Sequence, residues 1–241
     1  MTCIQIETQY STGASRQAIE QAIEQALVAA GKDLGHLRPE DLALLEDFHT
    51  MGRIATAQLA DLVQITSDDE VLDAGSGIGG TARYIAGRSR GHVVADLPFE
   101  DAAFTRVFSQ HVQMNVADKA LLYQEARRVL AAGGRLALWD IVAGENGEPD
   151  FPVPWADRPG YSHLTTSDRL RTAIATSGFE IEQWNGLTGQ AATMMQTLLT
   201  LPPSPIGLQA FVPNFTSRAK NLTAALADGR LRAVQGVARA V

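Results

Sequence analysis

Apolar positions change their period once along this chain, and the change divides it. Between residues 15 and 31 they follow the helical repeat, with Ala18, Ile19, Ala22, Ile23, Ala26 and Leu27 on one stripe, which predicts an amphipathic helix ended by Gly31. Residues 41–48 and 53–63 predict two more, so the stretch before residue 66 is expected to be helical. From Glu70 onward, short apolar runs alternate with helical stretches, the pattern of a parallel sheet with helical crossovers. Strands are expected at 71–74, 92–95, 106–109, 135–142, 179–184 and about 232–240. Helices are expected at 81–90, at 119–130 with a stop at Gly133-Gly134, at 167–177, around 191–201, and from about 208 to 228.

That division predicts an N-terminal helical lid over residues 1–66 and an α/β domain over 67–241. Residues 144–160, with Pro149, Pro152, Pro154 and Pro159, are too rich in proline for regular structure and read as a substrate loop after the strongest strand. At 241 residues the chain suits one domain with an appendage rather than two full domains. Hydrophobic residues at 45% and charged ones at 20% are those of a globular protein. No apolar run is long enough to span a bilayer, and Met1 to Tyr10 lacks a basic start with an apolar core, so a cytoplasmic location is expected.

Charge and metal-ligand types narrow the chemistry. The net charge of −7 argues against a nucleic-acid partner and points to a small-molecule substrate. The lone Cys3 excludes an internal disulfide, and the five histidines show no metal-binding spacing, so no metal is expected. Oligomeric state stays open, a homodimer among the options.

The densest chemical signal is Glu70-Val71-Leu72-Asp73-Ala74-Gly75-Ser76-Gly77-Ile78-Gly79-Gly80, an apolar strand that ends in an acid and runs into a glycine-rich turn before a helix. Glycines there let the backbone turn tightly and approach a ligand. A dinucleotide fingerprint spaces its glycines Gly-x-Gly-x-x-Gly; here they fall at 75, 77 and 79, with Asp73 two residues ahead. This arrangement resembles the first motif of the class I, Rossmann-like S-adenosylmethionine-dependent methyltransferases. Two further blocks resemble the middle of the small-molecule members: Asp96-Leu97-Pro98-Phe99, and Arg128-Val129-Leu130-Ala131-Ala132-Gly133-Gly134. The likeness spans roughly residues 40 to 190 and is nearest to the bacterial subgroup of sarcosine and dimethylglycine methyltransferase-like enzymes.

The resemblance implies a doubly wound, mainly parallel sheet and S-adenosylmethionine as cofactor. It also exposes a departure: where the family has a second strand, a helix and a third strand, only Gly91 to Asp96 stands here. Either the segment is deleted or the numbering runs across it. Asp96 is then either the acid for the ribose hydroxyls or the one beside the adenine, with Leu97 next to it. The resemblance further implies cofactor contacts from Asp73, Gly75, Ser76, Gly77, Gly79, Gln110 and Arg53, the last toward the cofactor carboxylate.

His111, at the end of the fourth strand of such a fold, is the candidate general base, since its near-neutral titration suits proton removal. Tyr10 is a candidate for closing over the site as part of the lid. Phe151 and Trp155 are candidates for the acceptor pocket, with His49 beside them. The activity so implied is methyl transfer to an amine, hydroxyl or activated carbon. Two rivals stay open: a non-catalytic relative, supported by the missing segment, and a nicotinamide-dependent oxidoreductase.

Overall fold

The computed structural model describes residues 16–47, 49–89, 93–94, 99–202 and 204–241. Three helices come first: α1 (Arg16–Ala29), α2 (Pro39–Glu46) and α3 (Gly52–Leu62). Then β1 (Val71–Ala74), α4 (Gly80–Ser89), β2 (Val93–Val94) and β3 (Phe104–Gln110) lead through α5 (Lys119–Val129) to β4 (Leu130–Ala143). The chain finishes with α6 (Ser167–Thr176), β5 (Phe179–Gly186), α7 (Thr188–Thr200), α8 (Phe215–Ala227) and β6 (Leu231–Ala240).

These strands form one sheet in the order β2-β1-β3-β4-β6-β5. Its β2, β1, β3 and β4 run parallel, and β6 inserts antiparallel between β4 and β5. The expected α/β, mainly parallel core is present. β2 has two residues, pairs with Val71 and Leu72 of β1, and is the sheet's edge among the described residues.

Each face of the sheet carries its own apolar layer, because strand side chains alternate. Val71, Phe108, Ala137, Trp139 and Ile141 face α3, α7 and α8, meeting Leu59, Ala191, Leu222 and Leu226. Leu72, Val107, Leu136, Leu138 and Val142 face α5 and α6, meeting Tyr123, Leu170 and Ile174. A smaller cluster, Leu27, Leu45 and Ile206, joins α1 and α2 to the loop after α7.

Two expected boundaries are corrected. Gly133-Gly134 does not stop a helix ahead of a strand: α5 ends at Val129 and β4 already pairs at Leu130, with the intervening residues bulged before Arg135 rejoins β3. Gly134 is needed there, since a Cβ would sit 3.0 Å from the Thr105 carbonyl. The helix expected from 208 to 228 is split, because Pro213 and the left-handed Asn214 (φ 55°) separate a 3-10 turn at Leu208–Ala210 from α8.

The proline-rich stretch is a loop with a 3-10 turn at Pro159–Tyr161 and a bridge between Val153 and Ala156. It leaves β4 at a close backbone crossing. Gly144 donates its amide to the Arg230 carbonyl at 2.8 Å, and a Cβ on Gly144 would lie 2.0 Å from the Gly229 oxygen.

Candidate functional site

At the carboxyl end of β1 the chain turns through three glycines with positive φ: Gly75 (81°), Gly77 (55°) and Gly79 (85°). L side chains rarely adopt these angles, which is why the alternation is glycine at every second position. The amide of Gly79 closes the turn onto the Ser76 carbonyl at 2.8 Å, and α4 starts at the next residue. Val112, just past β3, covers Gly75 so closely that a Cβ there would be 2.6 Å from its Cγ2. Gly77 by contrast has nothing within 4 Å of where a Cβ would stand. The free amides and positive dipole end of α4 favour an anionic group beside this turn.

Under the loop lies a set of buried polar groups that the described residues leave incomplete. Asp73 is 3% exposed and its Oδ2 has no partner among the described residues. Burial pushes its carboxyl up to about 7, while the Ala82 amide in the first turn of α4 draws it back in part. On the same sheet face, Gln110 accepts through Oε1 from the hydroxyls of Thr81 (2.9 Å) and Thr56 (3.3 Å), and its Nε2 has no partner among the described residues. The first turn of α4 therefore touches both residues, Thr81 on Gln110 and Ala82 on Asp73.

His49 continues the chain of contacts. Its Nε2 lies 3.1 Å from Thr56 Oγ1; since that hydroxyl donates to Gln110, His49 Nε2 is the donor and Nδ1 the open lone pair. Burial holds the imidazole down to about 4, against the opposing pull of Asp47, so it is neutral at ordinary pH. His111 stands 6.1 Å away, ring edge to face, in the left-handed region (φ 54°). Its Nε2 accepts the Thr50 amide at 3.2 Å, so the lone pair a general base would use is engaged. Burial, with His49 alongside, keeps its pKa well below the usual histidine value.

Arg53 is engaged as well. It reaches Asp47 at 3.0 and 3.4 Å and Glu46 at 3.4 Å, and lies 4.8 Å over the Tyr84 ring. Arg83 of α4 shares Glu46 (2.7 Å) and also donates to the Ile78 carbonyl at 2.6 Å, clasping α2 to the glycine turn. The structure thus brings Asp73, Gly75, Ser76, Gly77, Gly79, His49, Gln110 and His111 to one edge of the sheet. Trp155 sits apart in the packed layer beneath the proline-rich loop, 4% exposed, its Nε1 donating to Ser162 at 2.9 Å, and Phe151 packs against the same layer. Tyr10, Asp96 and Leu97 lie outside the described residues.

Thr56 and Thr81 escaped sequence reasoning, because threonine in a helix is unremarkable on the page. The signal for Thr56 was its place on the buried stripe of α3 with Ala55, Leu59 and Ala60.

Comparison with known proteins agrees with this geometry. A family model described as a methyltransferase domain matches residues 89–138. The glycine/sarcosine/dimethylglycine N-methyltransferase of Actinopolyspora halophila is 24% identical over 175 residues, covering 59% of this chain and 31% of that protein. The sarcosine/dimethylglycine N-methyltransferase of Halorhodospira halochloris is 26% identical over 149 residues, 48% of this chain and 53% of that one. The chain thus spans about a third of the first of these curated relatives and about half of the second. Among solved structures, the geranyl diphosphate C-methyltransferase of Streptomyces coelicolor A3(2), with Mg2+, geranyl diphosphate and S-adenosyl-L-homocysteine bound, has a TM-score of 0.62. The match covers 78% of this chain and 79% of that one at 19% identity, a likeness of fold. Among the described residues no helix is long and apolar enough to cross a membrane, and no cluster of three or more metal-ligating side chains occurs. In its sheet and its glycine turn the chain is similar to the class I, Rossmann-like methyltransferases, and residues 89–138 match a methyltransferase domain.

Proposed function

We propose that this chain binds S-adenosylmethionine and transfers its methyl group to a small-molecule amine, hydroxyl or activated carbon. The observation that carries the reading is the convergence of orphaned buried polar atoms, Asp73 Oδ2, Gln110 Nε2 and His49 Nδ1, beside a glycine turn at the carboxyl edge of a parallel sheet. Buried polar groups are ordinarily paired, so their grouping here is the mark of a ligand that pairs them. The cofactor's ammonium suits the free Asp73 oxygen, and its carboxylate suits the amides at the start of α4.

When bound, the sulfonium supplies an activated methyl for in-line displacement. The chain's own part is to orient and to exclude water. Gly75, Ser76, Gly77 and Gly79 form the floor, with Asp96 and Leu97 assigned to the adenosine half. Arg53 serves the carboxylate only by leaving Asp47, and His111 accepts a proton only when the Thr50 amide moves away. Phe151 and Trp155 remain assigned to the acceptor side and Tyr10 to closure of the helical lid, 1–66. The reading includes a bacterial cytoplasmic setting, no nucleic-acid partner and a homodimer.

The thin β2 edge favours a second reading, a methyltransferase-like protein without activity. Titration calorimetry with S-adenosylmethionine separates the two, followed by labelled methyl transfer to a panel of amines, phenols and alcohols. Binding with transfer is expected; binding without transfer to any acceptor supports the second reading. Absence of heat with either S-adenosylmethionine or S-adenosylhomocysteine rejects the first.

A further inference from the structure

Behind the glycine turn lies a second polar cluster that the proposed reaction does not use. Lys119 is the first residue of α5, where a cation opposes the helix dipole. Its ammonium instead turns back to three carbonyl oxygens, those of Gln113, Val116 and His163, the last at 2.7 Å. The first two belong to the turn after β3, and the third to the segment that follows the proline-rich loop. The same turn is fixed from its other side by Gln113, whose Nε2 donates to the Ile141 carbonyl of β4 at 2.6 Å, and the His163 amide donates to Met114 at 2.7 Å. This turn begins with Val112, the residue that covers Gly75.

Asp140 completes the cluster. It is wholly buried in β4, burial pushes its carboxyl well above the usual range against the pull of Lys119 and the amides of Gln113 and Val112, and both its oxygens lack a full hydrogen bond among the described residues. The Tyr123 hydroxyl, also buried and without a partner among the described residues, faces it from α5. From the third side His163 feels the Lys119 charge.

Resting on the reading that the glycine turn binds S-adenosylmethionine, we propose that Lys119 is a positioning residue for cofactor binding: it ties the Val112 turn, and so the cover of Gly75, to the segment at His163. The ammonium joins the two segments and gives up its charge at moderate pH, because burial, opposed by Asp140, draws it down to about 8. Loss of that proton leaves three carbonyls facing a neutral amine and loosens the turn.

Calorimetric affinity for S-adenosylhomocysteine, measured from pH 6.5 to 8.5 on the wild type, K119M and D140N, tests this. Wild-type affinity is expected to fall several-fold toward pH 8.5. K119M is expected to bind tenfold or more weakly at pH 7 and to lack that fall, with its melting temperature recorded beside it. D140N, which removes the countercharge, is expected to move the fall to lower pH. Affinity in folded K119M within twofold of wild type at pH 7, or an equal pH dependence in the two, overturns the proposal. If K119M does not fold, a wild-type affinity flat across the range, or a D140N profile that coincides with wild type, overturns it alone. A wild type that binds at no pH overturns the cofactor reading itself.

Discussion

The two halves of the sheet are unlike in length and in composition. On one side β4, β6 and β5 run fourteen, ten and eight residues; β4 pairs with β6 without a break from Arg135↔Arg239 to Ala143↔Leu231, and β5 pairs with β6 with one register shift between Ile181 and Gln183. On the other, β1 has four residues and β2 two. The long half is filled by Leu136, Leu138, Trp139, Ile141 and Val142, whereas the short half ends in Asp73, Gln110 and the glycine turn. Stability and chemistry are therefore housed apart. The long antiparallel strands supply the burial that allows the short parallel ones to carry unpaired polar atoms and strained turns.

If that division is right, Trp139→Ala, in the long half, costs about 3–5 kcal/mol of unfolding free energy by urea titration, because it empties a fully buried indole site. A loss under about 1 kcal/mol would break the comparison.

Asp73→Asn tests the short half. The carboxyl is raised from 3.8 to about 7, so the folded state holds its proton more tightly than the unfolded one. Its contribution is complete below about pH 4 and is lost as pH rises through 7, by about 4 kcal/mol at most. The asparagine variant should lack that decline in a melting series from pH 4 to 8, while binding S-adenosylmethionine at least tenfold more weakly. A parallel pH profile in both proteins would contradict the assignment.

Smaller effects sharpen the contrast. Gly77→Ala should cost about 1 kcal/mol of stability for the left-handed backbone, with no clash. Its loss of cofactor affinity, read by calorimetry, should be larger than that. Smallest is Arg135→Ala, which removes the half-exposed Arg135–Glu182 pair (2.7 Å) between β4 and β5; under about 1 kcal/mol is expected, fading in high salt.

What could be read from the sequence follows the same division. The glycine turn was legible because positive φ demands a particular residue, and β4 because the apolar or small runs Leu136 to Trp139 and Ile141 to Ala143, parted by one acid, have few other uses. Gly133-Gly134 misled, since a glycine pair looks the same whether it ends a helix or forms a bulge. The contacts of His111 were not legible, as the Thr50 amide that occupies its ring nitrogen is sixty-one residues away in sequence. Asp140 was a legible signal left unread: an acid inside Leu136-Ala137-Leu138-Trp139-Asp140-Ile141-Val142 has no place in a plain apolar strand.

The crossing at Gly144 gives the proline-rich loop a fulcrum. Any side chain there acts as a wedge between β4 and the start of β6, so the loop's lever arm begins one residue later, whatever its sequence. Beyond that point the loop is next held where Val153 and Trp155 enter the core, so the first of its two holds is set by backbone against backbone and the second by side chains.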